Sequence, residues 1–279
     1  MLMHELDSGG GNACSGLDDK TLDELRAIAG IYLDANGFFM QLVNRASKMV
    51  GSAAKALPDS WEIKIEDASR SALSYAADAA FSSQAVSTST SWTNRLREWA
   101  NGEAWHRWAS VVTGGLGGAG GIVTTLIDLP VTTTLILRSI QQIAADHGED
   151  ISAAEVRAEC VKVFAMGGPL PEDDNSDTGL WQVRMGLTGA AISEILKVAL
   201  PRFGLVVGEK ALAQAVPLLG AIAGAGVNAV FMQYFQAMAH VHFRLRKLER
   251  DDDPDQIGAC FERTVRALRT ERAGAAHNP

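Results

Sequence analysis

Apolar positions recur at helical spacing along almost the whole chain. After Asp18 and Asp19, either of which suits a helix N-cap, Leu22, Leu25, Ile28, Ala29 and Leu33 fall on one helical face until Asn36-Gly37, a stop signal. A second helix follows, carrying Phe38, Phe39, Leu42, Val43, Ala46 and Val50 and ending before Pro58. A third is expected from about Trp61 to Ala85, where alanines allow close packing. The Ser/Thr run from Ser87 to Thr93 reads as a loop and cap for a helix bearing Leu96, Trp99, Trp105 and Trp108. Ser152-x-x-Glu155 has the form of a capping box, opening a helix that closes at Gly167-Gly168-Pro169. Pro171 to Thr178 and Asp251 to Asp255 read as loops, and neither a β-hairpin nor a repeat is evident. The pattern predicts an all-α fold, a single helical domain.

Two stretches break the amphipathic rhythm. From Val111 to Asp128 the chain is glycine-dense and uncharged up to Asp128, and the next charge is Arg138. From Ala211 to Phe243 there is no Asp, Glu, Lys or Arg. Such segments belong at a membrane surface or in a very apolar helical core. Gly114 and Gly118, Gly117 and Gly121, and Gly220 and Gly224 stand one turn apart, a spacing that lets helix backbones approach closely in lipid or in protein. The two segments are therefore expected to pack together as a central pair of Gly-rich apolar helices. Residues 1–16 read as a flexible arm, 17–250 as the helical domain, and 251–279 as an acidic linker with a basic C-terminal helix.

Composition narrows the function classes. A length of 279 residues buries a substantial core, and a net charge of −8 disfavours nonspecific nucleic-acid binding, which needs a cationic face. Cys14, Cys160 and Cys260 are odd in number and far apart, which fits unpaired thiols in a reducing cytoplasm. The first sixteen residues are acidic and have no apolar run, unlike a secretory leader. The expected location is cytoplasmic, or peripheral to the inner membrane.

Gly114 to Gly121, Asp128-Leu129-Pro130, Arg138 with Ile140, Gln141 and Ile143-Ala144, and His147-Gly148-Glu149-Asp150 form an ordered series. Val163 to Gly168, Trp181 to Arg184, and Pro217 to Gly220 with Gly224, Gly226 and Asn228 continue it. The series resembles the EcsC family of bacterial proteins over roughly residues 20 to 250. The resemblance implies a cytoplasmic or membrane-associated protein acting beside a transporter system that affects secretion, and it carries no agreed catalytic chemistry.

Common catalytic signatures are missing from the sequence. Gly115 to Gly120 satisfies G-x-G-x-x-G but lacks the strand and βαβ context of dinucleotide binding, and no P-loop, G-x-S-x-G or H-E-x-x-H is present. No catalytic residue, cofactor or metal site is assigned. His240 and His242 point to different helix faces, and His147 beside Gly148 suits a cation at a helix C-terminus.

The embedded polar residues are the sharper candidates. Asp128 suits the cap of a helix starting at Leu129-Pro130, and Arg138 needs a carboxylate partner, with Asp128 favoured and Glu194 as another option. Asp128, Arg138, Arg184 and Asn228 are either structural or a ligand site between helices. Arg244, Arg246, Lys247 and Arg250 adjoin the second apolar segment, where an anionic leaflet would attract them, unless they merely complement the helix end. Arg263, Arg266, Arg269 and Arg272 form a later stripe suited to docking on the body or on a partner. Two functions fit. One is a noncatalytic, membrane-associated helical accessory to transport, secretion or envelope processes, its partner an anionic membrane surface or a membrane transport system. The other is an enzyme or binder of an apolar, lipid-like ligand.

Overall fold

A helix that is apolar on every side is stable only when it is surrounded, and the second uncharged segment ends in such a place. The computed structural model describes residues 13–50, 120–166, 184–190, 194, 195, 198 and 220–277, with the backbone alone at 38–50, 120–132, 165, 220–229, 276 and 277. Five long helices cover most of these residues: α1 (Asp19–Val50), α2 (Gly120–Asp146), α3 (Ala154–Met166), α4 (Gly220–Leu248) and α5 (Pro254–His277). No strand occurs among the described residues, so the fold is all-α as expected. Helix α4 touches the other four. Phe231, Tyr234, Phe235, Met238, Ala239, Val241, Phe243 and Leu245 are all buried on it, more of its circumference than one stripe.

The two uncharged segments do pack together, as α2 against α4. Gln236 Nε2 donates to Ser139 Oγ at 2.7 Å, His240 meets His147, and Arg246 reaches Glu149, so contacts advance along both helices in the same direction. Helices α2 and α4 are therefore parallel. Helix α1 runs antiparallel to α4, because Arg244 binds Glu24 while Tyr234 reaches Asn36. The small-residue explanation of the pairing is a separate matter. Gly114 and Gly118 lie outside the described residues, and at Gly121, Gly220 and Gly224 only the helical backbone is described.

Several local expectations are corrected. Helix α1 continues through Asn36-Gly37 to Val50. Asn36 Nδ2 donates to the carbonyl of Tyr32 four residues back, a bond made within the helix, and its Oδ1 accepts from Tyr234 on α4. A mid-helix glycine costs about 1 kcal/mol, less than the packing of α1 on α4 and α5 returns, since burying one large aliphatic side chain such as Leu25 or Ile28 contributes about 1.5–3 kcal/mol. Helix α2 begins at Gly120 rather than at Asp128, so Leu129-Pro130 lies inside it. The capping box is also absent: Ser152 donates from its N–H and hydroxyl to Asp150 Oδ1, while Glu155 faces Arg246. Asp18 caps α1 through the Thr21 N–H, and Asp253 caps α5 through the Gln256 N–H, with Pro254 in the first turn. The expected helix at 61–85, the tryptophan-bearing helix, and the loop at 171–178 lie outside the described residues.

Gly148 ends α2 in the left-handed region at φ +83°. The Glu149 N–H bonds the carbonyl of Ala144 and the Gly148 N–H that of Ala145, the two bonds of a Schellman cap. This turn aims Glu149 at α4. Gly148→Ala is expected to cost about 1–2 kcal/mol from the left-handed backbone alone; a denaturation midpoint equal to the parent's would refute it.

The cysteine expectation fails for two of the three. Cys14 and Cys260 form a disulfide, their Cα atoms 4.9 Å apart, and Cys160 is free and buried. Chain distance misled because α5 folds back over the start of α1. Helix α5 docks on the body through Ile257, Phe261 and Val265, and Arg272 of its basic stripe binds Asp34 on α1.

Candidate functional site

Ionisable side chains gather where α3, the C-terminal half of α4 and the short helical stretch at 184–186 meet. Helix α3 places Glu159 and Lys162 one turn apart among the buried residues Cys160, Val161, Val163 and Phe164. Neither charge can reach water, so they pair: Lys162 Nζ donates to Glu159 Oε1 at 2.7 Å. Helix α4 supplies His242, which is 1% exposed. Arg184, 4% exposed, lies against it and grips Glu249 with both terminal nitrogens, Nη2 to Oε2 at 2.8 Å.

The histidine's tautomer follows from its partners. Arg184 Nε–H donates to His242 Nδ1 at 3.0 Å, so Nδ1 carries the lone pair and Nε2 the hydrogen. His242 Nε2 is 2.7 Å from Glu159 Oε2. The carboxylate sits off the N–H direction, so the contact is an ion-pair distance rather than a well-directed hydrogen bond. Burial pushes the His242 imidazolium down to a pKa of about 4, so the ring is neutral at pH 7. Burial alone would raise Glu159, but the His242 and Lys162 contacts outweigh it and hold the carboxyl at about 2. With His242 neutral at pH 7, Lys162 is the cation that keeps Glu159 ionised.

A second layer surrounds this core. Arg246 binds Glu149 at 3.2 Å and Glu155 at 2.7 Å and lies 3.8 Å from Glu159, and Arg250 binds Glu149 at 2.7 Å. Glu149, Glu155, Glu159 and Glu249 thus face Lys162, Arg184, Arg246 and Arg250, equal numbers of each sign. Nearby, His147 Nε2 and His240 Nδ1 stand 3.0 Å apart, joining the end of α2 to α4. Burial, then the charges around it, lower the His147 pKa, so it is not the helix-end cation the sequence suggested. His240 and His242 do point to different faces.

The predicted site residues separate. Arg184 is in the network. Arg138 is half-buried on α2 and engaged in an interaction of its own. The side chains of Asp128 and Asn228 lie outside those described. The supposed membrane-surface cations are largely engaged: Arg244 forks onto Glu24 at 2.6 and 2.8 Å, Arg246 and Arg250 bind as above, and Lys247 is exposed. Charge counting along α4 missed this because the carboxylates come from α1, α3 and the turn after α2.

Glu159, Lys162 and Glu249 were not singled out from the sequence, and His242 was weighed only as a metal ligand with His240 and set aside. The signal was a lysine inside Cys-Val-Lys-Val-Phe, since a cation flanked on both sides by core residues must find a partner, and the nearest carboxylate is three residues back. Chemically the arrangement is closed. Arg184 occupies the imidazole lone pair a general base would need, and burial pushes the Cys160 thiol up to about 12, leaving it inert. Among the described residues, no three His, Cys, Asp or Glu side chains are grouped to hold a metal.

A family model described as the EcsC protein family matches residues 39–248, most of the chain and all of α2, α3 and α4. No curated protein and no solved structure matches the chain.

Proposed function

Since this chain belongs to the EcsC protein family, we propose that it is a noncatalytic helical accessory protein that works peripherally at the cytoplasmic face of the inner membrane, beside a transport, secretion or envelope process. The observation that carries this reading is the parallel course of α2 and α4. It sends the charge-poor N-terminal halves of both helices toward one end of the bundle, away from the charge network. Antiparallel α1 sends its C-terminal half the same way. From the polar contacts at Ser139, Gln236 and Asn36, the three helices continue about 20–30 Å in that direction. In sequence, Gly120–Val131 holds one charge, Asp128, Gly220–Ala229 holds none, and Gly37–Val50 holds Arg45 and Lys48 and no carboxylate. No helix among the described residues is long and apolar enough to cross a membrane, so the contact is a surface one. Closure of the Glu159–His242 pair by Arg184 and Lys162 supports the noncatalytic part of the reading.

This reading moves membrane contact from the Arg244 cluster to the opposite end. Purified protein is expected to sediment with vesicles of phosphatidylglycerol and phosphatidylethanolamine, and to remain bound when salt is raised, because apolar contact is not screened. Arg45→Glu with Lys48→Glu should weaken binding at low salt only. Absence of sedimentation at any salt concentration, or complete release by salt, would overturn the proposal.

A further inference from the structure

The Cys14–Cys260 bond is asymmetric in its surroundings. Cys14 is half-exposed, in a four-residue turn at 13–16 that belongs to no helix. Cys260 is fully buried on α5. Helix α5 does not depend on the bond for its place: Ile257, Phe261 and Val265 are buried, Tyr32 packs edge-on against Phe261 at 6.0 Å, and Arg26–Glu271 and Arg272–Asp34 tie α5 to α1. On the Cys14 side, Leu17 is buried, and the Gln256 side-chain amide donates to the carbonyl of Ser15 at 2.7 Å. Both cysteines lie outside residues 39–248, so the bond joins the two flanks of the family region to each other.

We propose that Cys14–Cys260 is a thiol-exchange site, a reversible clasp that fastens the segment before α1 onto α5 and is opened by a dithiol reductant. A reductant thiolate attacks Sγ of Cys14, the less buried of the two residues. The Sγ–Sγ bond breaks, and Cys260 leaves as a thiolate and takes up a proton. The reductant's second thiol then displaces Cys14 from the mixed disulfide, so the protein gains two electrons and two protons while the dithiol departs as its own disulfide. An oxidised low-molecular-weight thiol reverses the sequence. Because α5 keeps its apolar and ionic contacts, opening removes the covalent hold on the 13–16 turn and leaves the helical body folded. The exchange changes the tethering of the N-terminal segment rather than the fold.

Tryptic digestion of the full chain without reductant tests this. After treatment with oxidised glutathione, the peptide Met1–Lys20 should be found joined to Asp251–Arg263. Dithiothreitol should separate the two while the helical circular dichroism stays unchanged, and renewed oxidation should restore the joined peptide. Cys14→Ser should remove the joined peptide and keep the helical signal. Both reduction and this variant should lower Tm by about 5–15 °C, because a cross-link between residues this far apart restricts the unfolded chain. The proposal fails if the joined peptide never forms, if it resists dithiothreitol until denaturant is added, or if reduction or Cys14→Ser abolishes the helical signal, which would make the bond a structural staple.

Discussion

Arg184→Ala is expected to destabilise the protein by about 3–5 kcal/mol, the range for removing one partner from a buried ion pair. Three groups lose their partner together. Glu249 loses both of its contacts with the guanidinium, His242 Nδ1 loses its donor, and the carbonyl of His242 loses the Nη2 approach at 3.4 Å. Water cannot replace these donors without opening the junction of α4 with residues 184–186, because Arg184 and His242 are almost entirely enclosed. Arg184→Lys should recover only part of the loss, since an ammonium cannot grip a carboxylate at two points and also donate in line to an imidazole. An exposed pair on the same molecule supplies the contrast: Arg272→Ala removes a contact to Asp34 in which both side chains are largely in water, and should cost no more than about 1 kcal/mol. Chemical denaturation of the three variants measures the difference. Equal midpoints for Arg184→Ala and the parent would show that the network is not part of the folded core.

Acid should unfold the protein in two stages, the first caused by histidine. His242 has a folded pKa of about 4 against an ordinary value of 6.5, so between those limits the unfolded chain binds a proton that the folded chain refuses. Stability is therefore complete above pH 6.5 and falls as pH drops toward 4. Each pKa unit is worth about 1.4 kcal/mol, which makes the loss about 3 kcal/mol. His147 and His240 are also lowered, chiefly by burial, and push in the same direction. The second stage belongs to Glu159. Its folded pKa lies below its ordinary 4.5, so its contribution is present above 4.5 and is lost as pH falls toward about 2. Denaturant midpoints between pH 7.5 and 4 read the first stage, and His242→Gln should flatten that dependence whatever it does to stability at pH 7.5. A midpoint that stays constant from pH 7 to pH 4 in the parent would contradict the neutral buried imidazole.

The helical class, a cap at Asp18 or Asp19, a helix end beside Gly148 and the pairing of the two uncharged segments were legible in sequence, because each rests on composition, periodicity or a local backbone requirement. The charge network was not. Its members come from residues 149–162, 184 and 242–250, and no local pattern reveals that Arg246 will face Glu149 or that Arg184 will lie on His242. The same limit explains the basic cluster: on one helix Arg244 to Arg250 look like free cations, yet Glu24 is more than two hundred residues away in sequence and in contact in space. Asn36-Gly37 shows the converse, a local stop signal overruled by packing against a helix that the sequence alone could not put in place.

Among the described helices, the one that touches the other four comes late in the chain. Helices α1, α2 and α3 leave the ribosome before α4 exists, and α4 is complete only at Leu248. At about 5–20 residues per second, some 10–40 seconds pass between synthesis of Val50 and of Leu248. Until α4 is made, the faces of α1 and α2 that meet it lack that partner, and the disulfide must wait until Cys260 has followed. The contacts that join α1, α2 and α3 through α4 therefore form only once most of the chain has been made.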